Sequence, residues 1–201
     1  MDGWYDVFDR IRVAGNPILQ AGLASIRLEQ KVEMWKALKP EMTSINFNSH
    51  DEFFQPYPDN PPIGCYSVHP VNELRDYCRY ANECRVKLEV ECFTTGGYWA
   101  VSKIREGNFY NYETGEFEED KGLLPDPIWV EILFGWTGQG WTPPTSRALS
   151  FMVDHMPPRA NYTVSCLDPK EAACNEGLDD VTTLLPFFVR DVIIGAEAAG
   201  F

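Results

Sequence analysis

The stretch Val86-Lys87-Leu88-Glu89-Val90-Glu91-Cys92-Phe93 decides the fold, because polar and apolar positions alternate along most of its length. Successive side chains of a β-strand point to opposite faces. The pattern therefore predicts a strand with one apolar face and one face that carries Glu89 and Glu91. Two carboxylates on one face indicate either a sheet open to solvent or a polar cavity. In a βα barrel the inward face carries catalytic groups near the carboxyl ends of the strands, so the choice between these interpretations decides the function.

Strand and helix patterns alternate along the rest of the chain. Helices are expected where apolar residues recur near every 3.6 positions, as in the stripe Leu74, Tyr77, Cys78 and Ala81, which begins after Pro70. A helix is expected before residue 17, another at 26–38, and a third that begins at residue 70. Further helices are expected after the turn at 94–97, ending near residue 105, and at 144–155 and 180–199. The expected strands are 17–22, 42–47, 86–93, 128–134 and 161–166. Residues 50–67 are expected to form a loop, and residues 107–126 an excursion or small hairpin.

This order predicts an α/β fold with parallel strands and right-handed crossovers. Each predicted strand has one largely apolar face and one with polar positions, as in Asn161, Thr163 and Ser165 against Tyr162 and Val164. A doubly wound sheet buries both faces under helices and favours near-continuous apolar strands. The pattern instead favours the polar lumen of a partial TIM (β/α)8 barrel of about five consecutive βα units. We expect residues 1–201 to form a single domain, an incomplete βα barrel.

Composition excludes several function classes. The net charge of −13 disfavours binding to nucleic acid and to anionic membranes. The six cysteines form no C-x-x-C pair and indicate reduced thiols in a cytoplasmic protein. The N-terminus lacks the pattern of a signal peptide, and no apolar run approaches the ~18 residues of a membrane span.

Four passages carry a resemblance to a known family. They are KPEMTSINFN at residues 39–48, EVECFTTG at 89–96, LFGWTGQG at 133–140, and DHMPP at 154–158 followed by YTVS at 162–165. Each is similar to a strand passage of the β-keto acid cleavage enzymes, and the four occur in the family's order. The chain therefore resembles that family, whose founding activity is 3-keto-5-aminohexanoate cleavage.

The resemblance implies a fold, a reaction and a site. It implies a TIM barrel that binds zinc, condenses a β-keto acid with acetyl-CoA, and releases acetoacetate and a new CoA thioester. It also implies a homo-oligomer, a tetramer in the family. By resemblance Ser44, Asn46 and Glu91 are substrate-binding residues, and all three lie on the predicted polar faces.

The chain also departs from the family. The family's metal ligands include an H-x-H pair, whereas the histidines here are His50, His69 and His155. We therefore assign no metal ligand and no catalytic residue, and we expect a central piece that lacks both barrel ends. The alternative is a non-catalytic barrel remnant that acts as an oligomerisation or interaction module. An unrelated α/β hydrolase or sugar-phosphate enzyme ranks last, because the chain has no G-x-S-x-G or P-loop motif.

The sequence is consistent with two roles for several side chains. Glu91 either binds substrate or pairs with a cation such as Lys87. Glu131 is expected to form a structural ion pair. The turn at residues 94–97 (TTGG) either offers amides to an anion or is a tight connection. His50 and His69 are expected to be loop histidines rather than metal ligands, and Trp136 and Trp141 either line the mouth of the barrel or pack.

Overall fold

The computed structural model describes residues 2–22, 27–54, 63–111, 113–135 and 139–166. These residues form five helices and nine strands. In chain order the elements are α1 (Asp2–Ala14), β1 (Gln20–Ala21), α2 (Leu28–Leu38), β2 (Met42–Asn46), β3 (His50–Phe54), β4 (Ile63–Ser67), α3 (Val71–Cys84), β5 (Lys87–Cys92), α4 (Thr95–Glu106), β6 (Asn108–Asn111), β7 (Glu116–Glu119), β8 (Ile128–Phe134), α5 (Ser146–Asp154) and β9 (Ala160–Cys166).

Five strands form one sheet in the order β1-β2-β5-β8-β9. Every neighbouring pair in it is parallel, and the spatial order follows the chain order. A doubly wound sheet would instead reverse its order at a switch point. The predicted α/β fold is confirmed, and the arrangement is compatible with an arc of a βα barrel.

The core lies on one face of this sheet. Ile45, Val90 and Ile132 point to that face and are almost fully buried. They join one hydrophobic cluster with helix residues such as Trp35 and Val101. The opposite face carries the polar positions of the same strands, so the predicted division of the strands into two faces is correct.

The helices begin and end where local chemistry requires it. In α3 the predicted stripe of Leu74, Tyr77, Cys78 and Ala81 is the buried face. Thr94 is the N-cap of α4, and its side chain accepts a hydrogen bond from the amide of Gly96. Gly107 caps the other end with φ 69°, a left-handed conformation that glycine adopts at little cost.

Two local predictions are wrong. Within the predicted loop at 50–67, β3 and β4 pair as an antiparallel two-stranded sheet. Pro, Asp and Asn are concentrated between residues 56 and 62, while residues with strand propensity flank them. The strand predicted at 17–22 is confined to Gln20 and Ala21, since the Leu19 amide donates to the Glu41 side chain instead of to a ladder.

The predicted excursion at 107–126 is a small hairpin of β6 and β7. It is attached to α3 by Arg75, which contacts Glu118 and Asp120, and by Arg79, which also contacts Asp120. The hairpin therefore lies against the helix layer rather than over the polar face of the sheet. The helix predicted at 180–199 falls outside the described residues. In the part of the chain that the structure describes, no helix has the length and apolar character needed to cross a membrane.

Candidate functional site

The strand register gathers the polar side chains on one face of the sheet. Asn46 lies beside Glu91, Glu91 beside Glu131, and Glu131 beside Thr163 on four neighbouring strands. One step toward the amino ends, Ser44 lies beside Glu89. Partners in a parallel ladder share a face. The structure therefore places three carboxylates, an amide and hydroxyls on one polar face.

The three predicted substrate-binding residues lie together on this polar face. Asn46 is the register neighbour of Glu91, and Ser44 lies two residues before Asn46 on the same face of β2. Asn46 is only 9% exposed, and its Oδ1 atom is buried with no hydrogen-bond partner among the described residues. A buried acceptor without a donor is uncommon in folded proteins. Asn46 Oδ1 is therefore an unsatisfied acceptor on the polar face beside Glu91.

Glu91 is the carboxylate whose ionisation is most perturbed on this face. Burial, together with the negative charges of Glu131 and Glu89, raises its pKa to about 7. The Ser44 hydroxyl and the Lys31 ammonium act in the opposite direction, because both favour the ionised carboxylate. Glu91 therefore changes its protonation state near neutral pH, which is the property required of a proton donor or acceptor.

Lys87 is not the partner of Glu91. Its ammonium donates to the backbone carbonyls of Pro125 and Pro127. Lys87 begins β5, whereas Glu91 lies one residue before the end of that strand. Lys87 and Glu91 therefore lie near opposite ends of β5.

The other two carboxylates accept hydrogen bonds from neutral donors. Glu89 is buried and accepts from the Gln20 amide and from Thr163 Oγ1, the latter at 3.1 Å. Glu131 accepts from Ser165 Oγ, and burial raises the pKa of the Glu131 carboxyl. Glu131 forms no ion pair with any described residue, so the predicted ion pair is wrong in that part of the chain. Its neighbours on β5 and β9 carry carboxyl and hydroxyl groups.

Lys31 is a buried ammonium that the sequence pattern alone did not single out. The residue is 3% exposed, and its Nζ lies 4.6 Å from the centre of the Tyr77 ring. Burial lowers its pKa to about 8, while Glu73 and Glu91 raise it. A signal was available, because Lys31 falls three residues after Leu28 and four before Trp35, on the apolar stripe of α2.

Asn48 connects two strand ends at the carboxyl edge of the sheet. Its Nδ2 donates to Thr94 Oγ1 at 2.9 Å, and its Oδ1 accepts from the Phe93 amide at 3.0 Å. Gly97 makes this contact possible, because a Cβ atom there would lie 2.4 Å from Asn48 Oδ1. The Gly96 and Gly97 amides donate to the side chain and backbone oxygens of Thr94. The turn at 94–97 is therefore a tight connection, and these two amides are engaged.

Aromatic rings and imidazoles pack beside Asn48. The Phe93 and Trp141 rings stack at 3.9 Å between centroids, and the buried His50 ring meets both edge-on. His69 stacks on His50 at 6.1 Å. Trp141 Nε1 also donates to the Asp51 carbonyl. This packing joins the β3–β4 hairpin to the segment after β8, while Trp136 lies outside the described residues.

The described residues do not form a metal site. No group of three or more His, Cys, Asp or Glu side chains among them is arranged to hold a metal ion. The zinc that the resemblance implies does not fit the residues that the structure describes, so no chemical step is assigned to it below.

An opening of about 400 Å³ lies at the carboxyl edge of the sheet, between the first turns of α4 and α5. Thr94 and Thr95 line one side, and Thr145 and Arg147 line the other. The exposed guanidinium of Arg147 gives this opening a positive charge on a chain that is otherwise acidic.

Comparison with known proteins gives one family match. The model of a family described as beta-keto acid cleavage enzyme matches residues 2–177. A search of curated proteins finds no match. The matched range contains every residue of the polar face.

Proposed function

The chain belongs to the β-keto acid cleavage enzyme family, and we propose that it acts on a β-keto acid and acetyl-CoA. The proposed products are acetoacetate and the CoA thioester of the remaining acyl group. The bond between C2 and C3 of the keto acid breaks, and C2 forms a new bond to the acetyl carbonyl carbon. The thioester bond of acetyl-CoA breaks as C2 is acylated, and the released CoA sulfur bonds to C3 of the remaining acyl group, so atoms and charge balance without an oxidant or reductant.

The grouping of Ser44, Asn46 and Glu91 on one polar face carries this proposal. These residues are neighbours on two strands, close to the carboxyl edge where βα enzymes bind their substrates. Asn46 Oδ1 has no donor among the described residues, and Glu91 changes protonation near neutral pH. We assign Asn46 and Glu91 to bind and orient the keto acid, and Ser44 to hold the Glu91 carboxyl in place.

Acetyl-CoA is proposed to approach from the same edge. Its phosphate groups require positive charge, and Arg147 supplies it at the opening beside Thr94 and Thr145. The acetyl group would then lie on the side of the strand ends where Glu91 is found. We also propose that the five parallel strands are an arc of a (β/α)8 barrel.

The test is product formation by the purified protein. Acetyl-CoA and a panel of β-keto acids are incubated with the chain, with and without added zinc chloride, and acetoacetate and acyl-CoA are quantified by mass spectrometry. We expect product from at least one keto acid and a loss of at least about 100-fold in Glu91→Leu, which removes the hydrogen-bonding group; this is equivalent to about 3 kcal/mol of transition-state stabilisation. Glu116→Leu, an exposed change on β7, is the matched control and should retain full activity. Absence of product from every keto acid in both conditions would overturn the proposal.

A second candidate function is that of an interaction module, and helix α1 favours it. Trp4, Val7 and Ile11 are 44%, 47% and 38% exposed, and they recur on one side of α1. Strand β1, the next element along the chain, is an edge strand of the sheet that the described residues form, and such edges are templates for pairing. This candidate predicts a homo-oligomer whose mass in sedimentation falls when Val7 is changed to Glu. A monomer at every concentration would exclude it.

A further inference from the structure

Glu91 and Glu131 are adjacent carboxyl groups with few donors. They are partners in the ladder between β5 and β8, and neighbouring strands lie about 4.8 Å apart. Glu131 accepts a side-chain hydrogen bond from Ser165, and the Ser44 hydroxyl favours the ionised form of Glu91. Glu89, by contrast, accepts two. A negative charge on Glu89 is therefore better stabilised by donors than a charge on Glu91 or Glu131.

The surrounding elements supply little positive charge to this pair. From β2 come Ser44 and Asn46, and from β9 come Thr163 and Ser165, all uncharged. Glu89 on β5 adds a further negative charge. The cation that acts on Glu91 is Lys31 of α2, which makes no salt bridge or hydrogen bond to it within the described residues. Ionisation of one of two neighbouring buried carboxyls disfavours ionisation of the other, so the pair keeps a proton to a higher pH than an isolated carboxyl would.

We propose that Glu131 is a positioning residue that shares one proton with Glu91 and so keeps Glu91 able to donate a hydrogen bond at neutral pH. Burial and the neighbouring carboxylates raise the pKa of both groups, which agrees with the geometry. Ser165 and Ser44 decide where the proton lies, because each hydroxyl stabilises the ionised form of its own carboxyl.

The shared proton has a consequence for the substrate. This inference rests on the proposed function, in which a β-keto acid anion binds beside Glu91. Three ionised carboxylates would repel that anion, whereas a neutral Glu91 can donate to one of its oxygen atoms. Glu131 would then favour binding of an oxygen acceptor without touching the substrate itself.

The test measures the ionisation of Glu91 directly in the full chain. Glutamate labelled with ¹³C at the side-chain carboxyl is introduced, and the Glu91 resonance is identified by its loss in Glu91→Gln. We expect Glu91 to titrate near pH 7 and its midpoint to fall by about one pH unit in Glu131→Gln, because a negative neighbour is removed. Glu116→Gln is the control and should leave the midpoint unchanged.

A second variant keeps the test decisive if Glu131→Gln does not fold. Ser165→Ala removes the donor that stabilises ionised Glu131, so the proton moves toward Glu131 and the Glu91 midpoint falls again. A Glu91 midpoint that stays at its wild-type value in the folded variants, or that lies in the ordinary glutamate range in wild type, would overturn the inference. If the Glu91 midpoint responds to Glu131→Gln but no acetoacetate forms, the proposed function is wrong and the shared proton stands. If acetoacetate forms but the Glu91 midpoint does not respond, only the shared proton is wrong.

Discussion

Changing Glu91 to Gln should remove a specific part of the pH dependence of stability. In the folded protein burial and the neighbouring carboxylates raise the Glu91 pKa from 4.5 to about 7. The native state therefore binds more protons than the unfolded chain between these two values. Stability from this group is fully present below about pH 4.5 and is lost as the pH rises through about 7.

The magnitude follows from the shift. About 2.5 pH units at 1.36 kcal/mol per unit correspond to about 3 kcal/mol in the free energy of unfolding. Part of this belongs to the coupling with Glu131, so we expect about 2–3 kcal/mol to disappear in Glu91→Gln. Other ionisable groups contribute their own pH dependence, and the difference between wild type and variant isolates that of Glu91.

The assay is urea denaturation followed by tryptophan fluorescence at half-unit steps from pH 4.5 to 8. Wild type should lose stability relative to Glu91→Gln across this range, with most of the change between pH 5 and 7. Stability curves that run parallel at all pH values would refute the account of Glu91. A wild-type curve that rises relative to the variant would show that the carboxyl is stabilised in its ionised form.

Two other predictions concern Lys31 and Gly97. Lys31→Met should raise the free energy of unfolding at pH 7 by about 1–2 kcal/mol, because it removes a buried charge whose pKa burial has lowered to about 8. The gain should shrink between pH 8 and 10.5, where unfolded lysine also loses its proton; an equal gain at pH 7 and pH 10.5 would contradict this cause. Gly97→Ala should lower the melting temperature and cost about 1–3 kcal/mol, because the new Cβ would lie 2.4 Å from Asn48 Oδ1 and 2.9 Å from Cys92 Sγ. Gly3→Ala in α1 meets no atom within 4 Å and is the control; equal effects of the two changes would reject the proposed clash.

Much of the sheet could be predicted because its signal is local. The alternation around Val90 and Glu91 decides which residues face the helices, and the same alternation in the predicted strand 42–47 places Ser44 and Asn46 on its polar face. A shift of one residue would have exchanged the two faces. The observed register, with Asn46 beside Glu91, excludes that shift.

Features that depend on distant parts of the chain could not be predicted in this way. Asn48 joins β2 to the turn at Thr94 across 46 positions, and no local pattern marks such a bond. The β3–β4 hairpin was missed because the prolines between its strands dominate the local composition. Glu131 was expected to pair with a cation, yet its neighbours come from β5 and β9 and are carboxyl and hydroxyl groups. Lys31 is the exception, since its position on an apolar stripe is a local signal of a buried charge.

The central claim is that this chain transfers the C2 fragment of a β-keto acid to the acetyl group of acetyl-CoA. The most direct measurement uses acetyl-CoA labelled with ¹³C in both acetyl carbons and an unlabelled β-keto acid, with the products analysed by mass spectrometry and NMR. The account predicts acetoacetate labelled at C3 and C4 only, together with an unlabelled acyl-CoA. Acetoacetate without label, or label recovered only as free acetate, would contradict it.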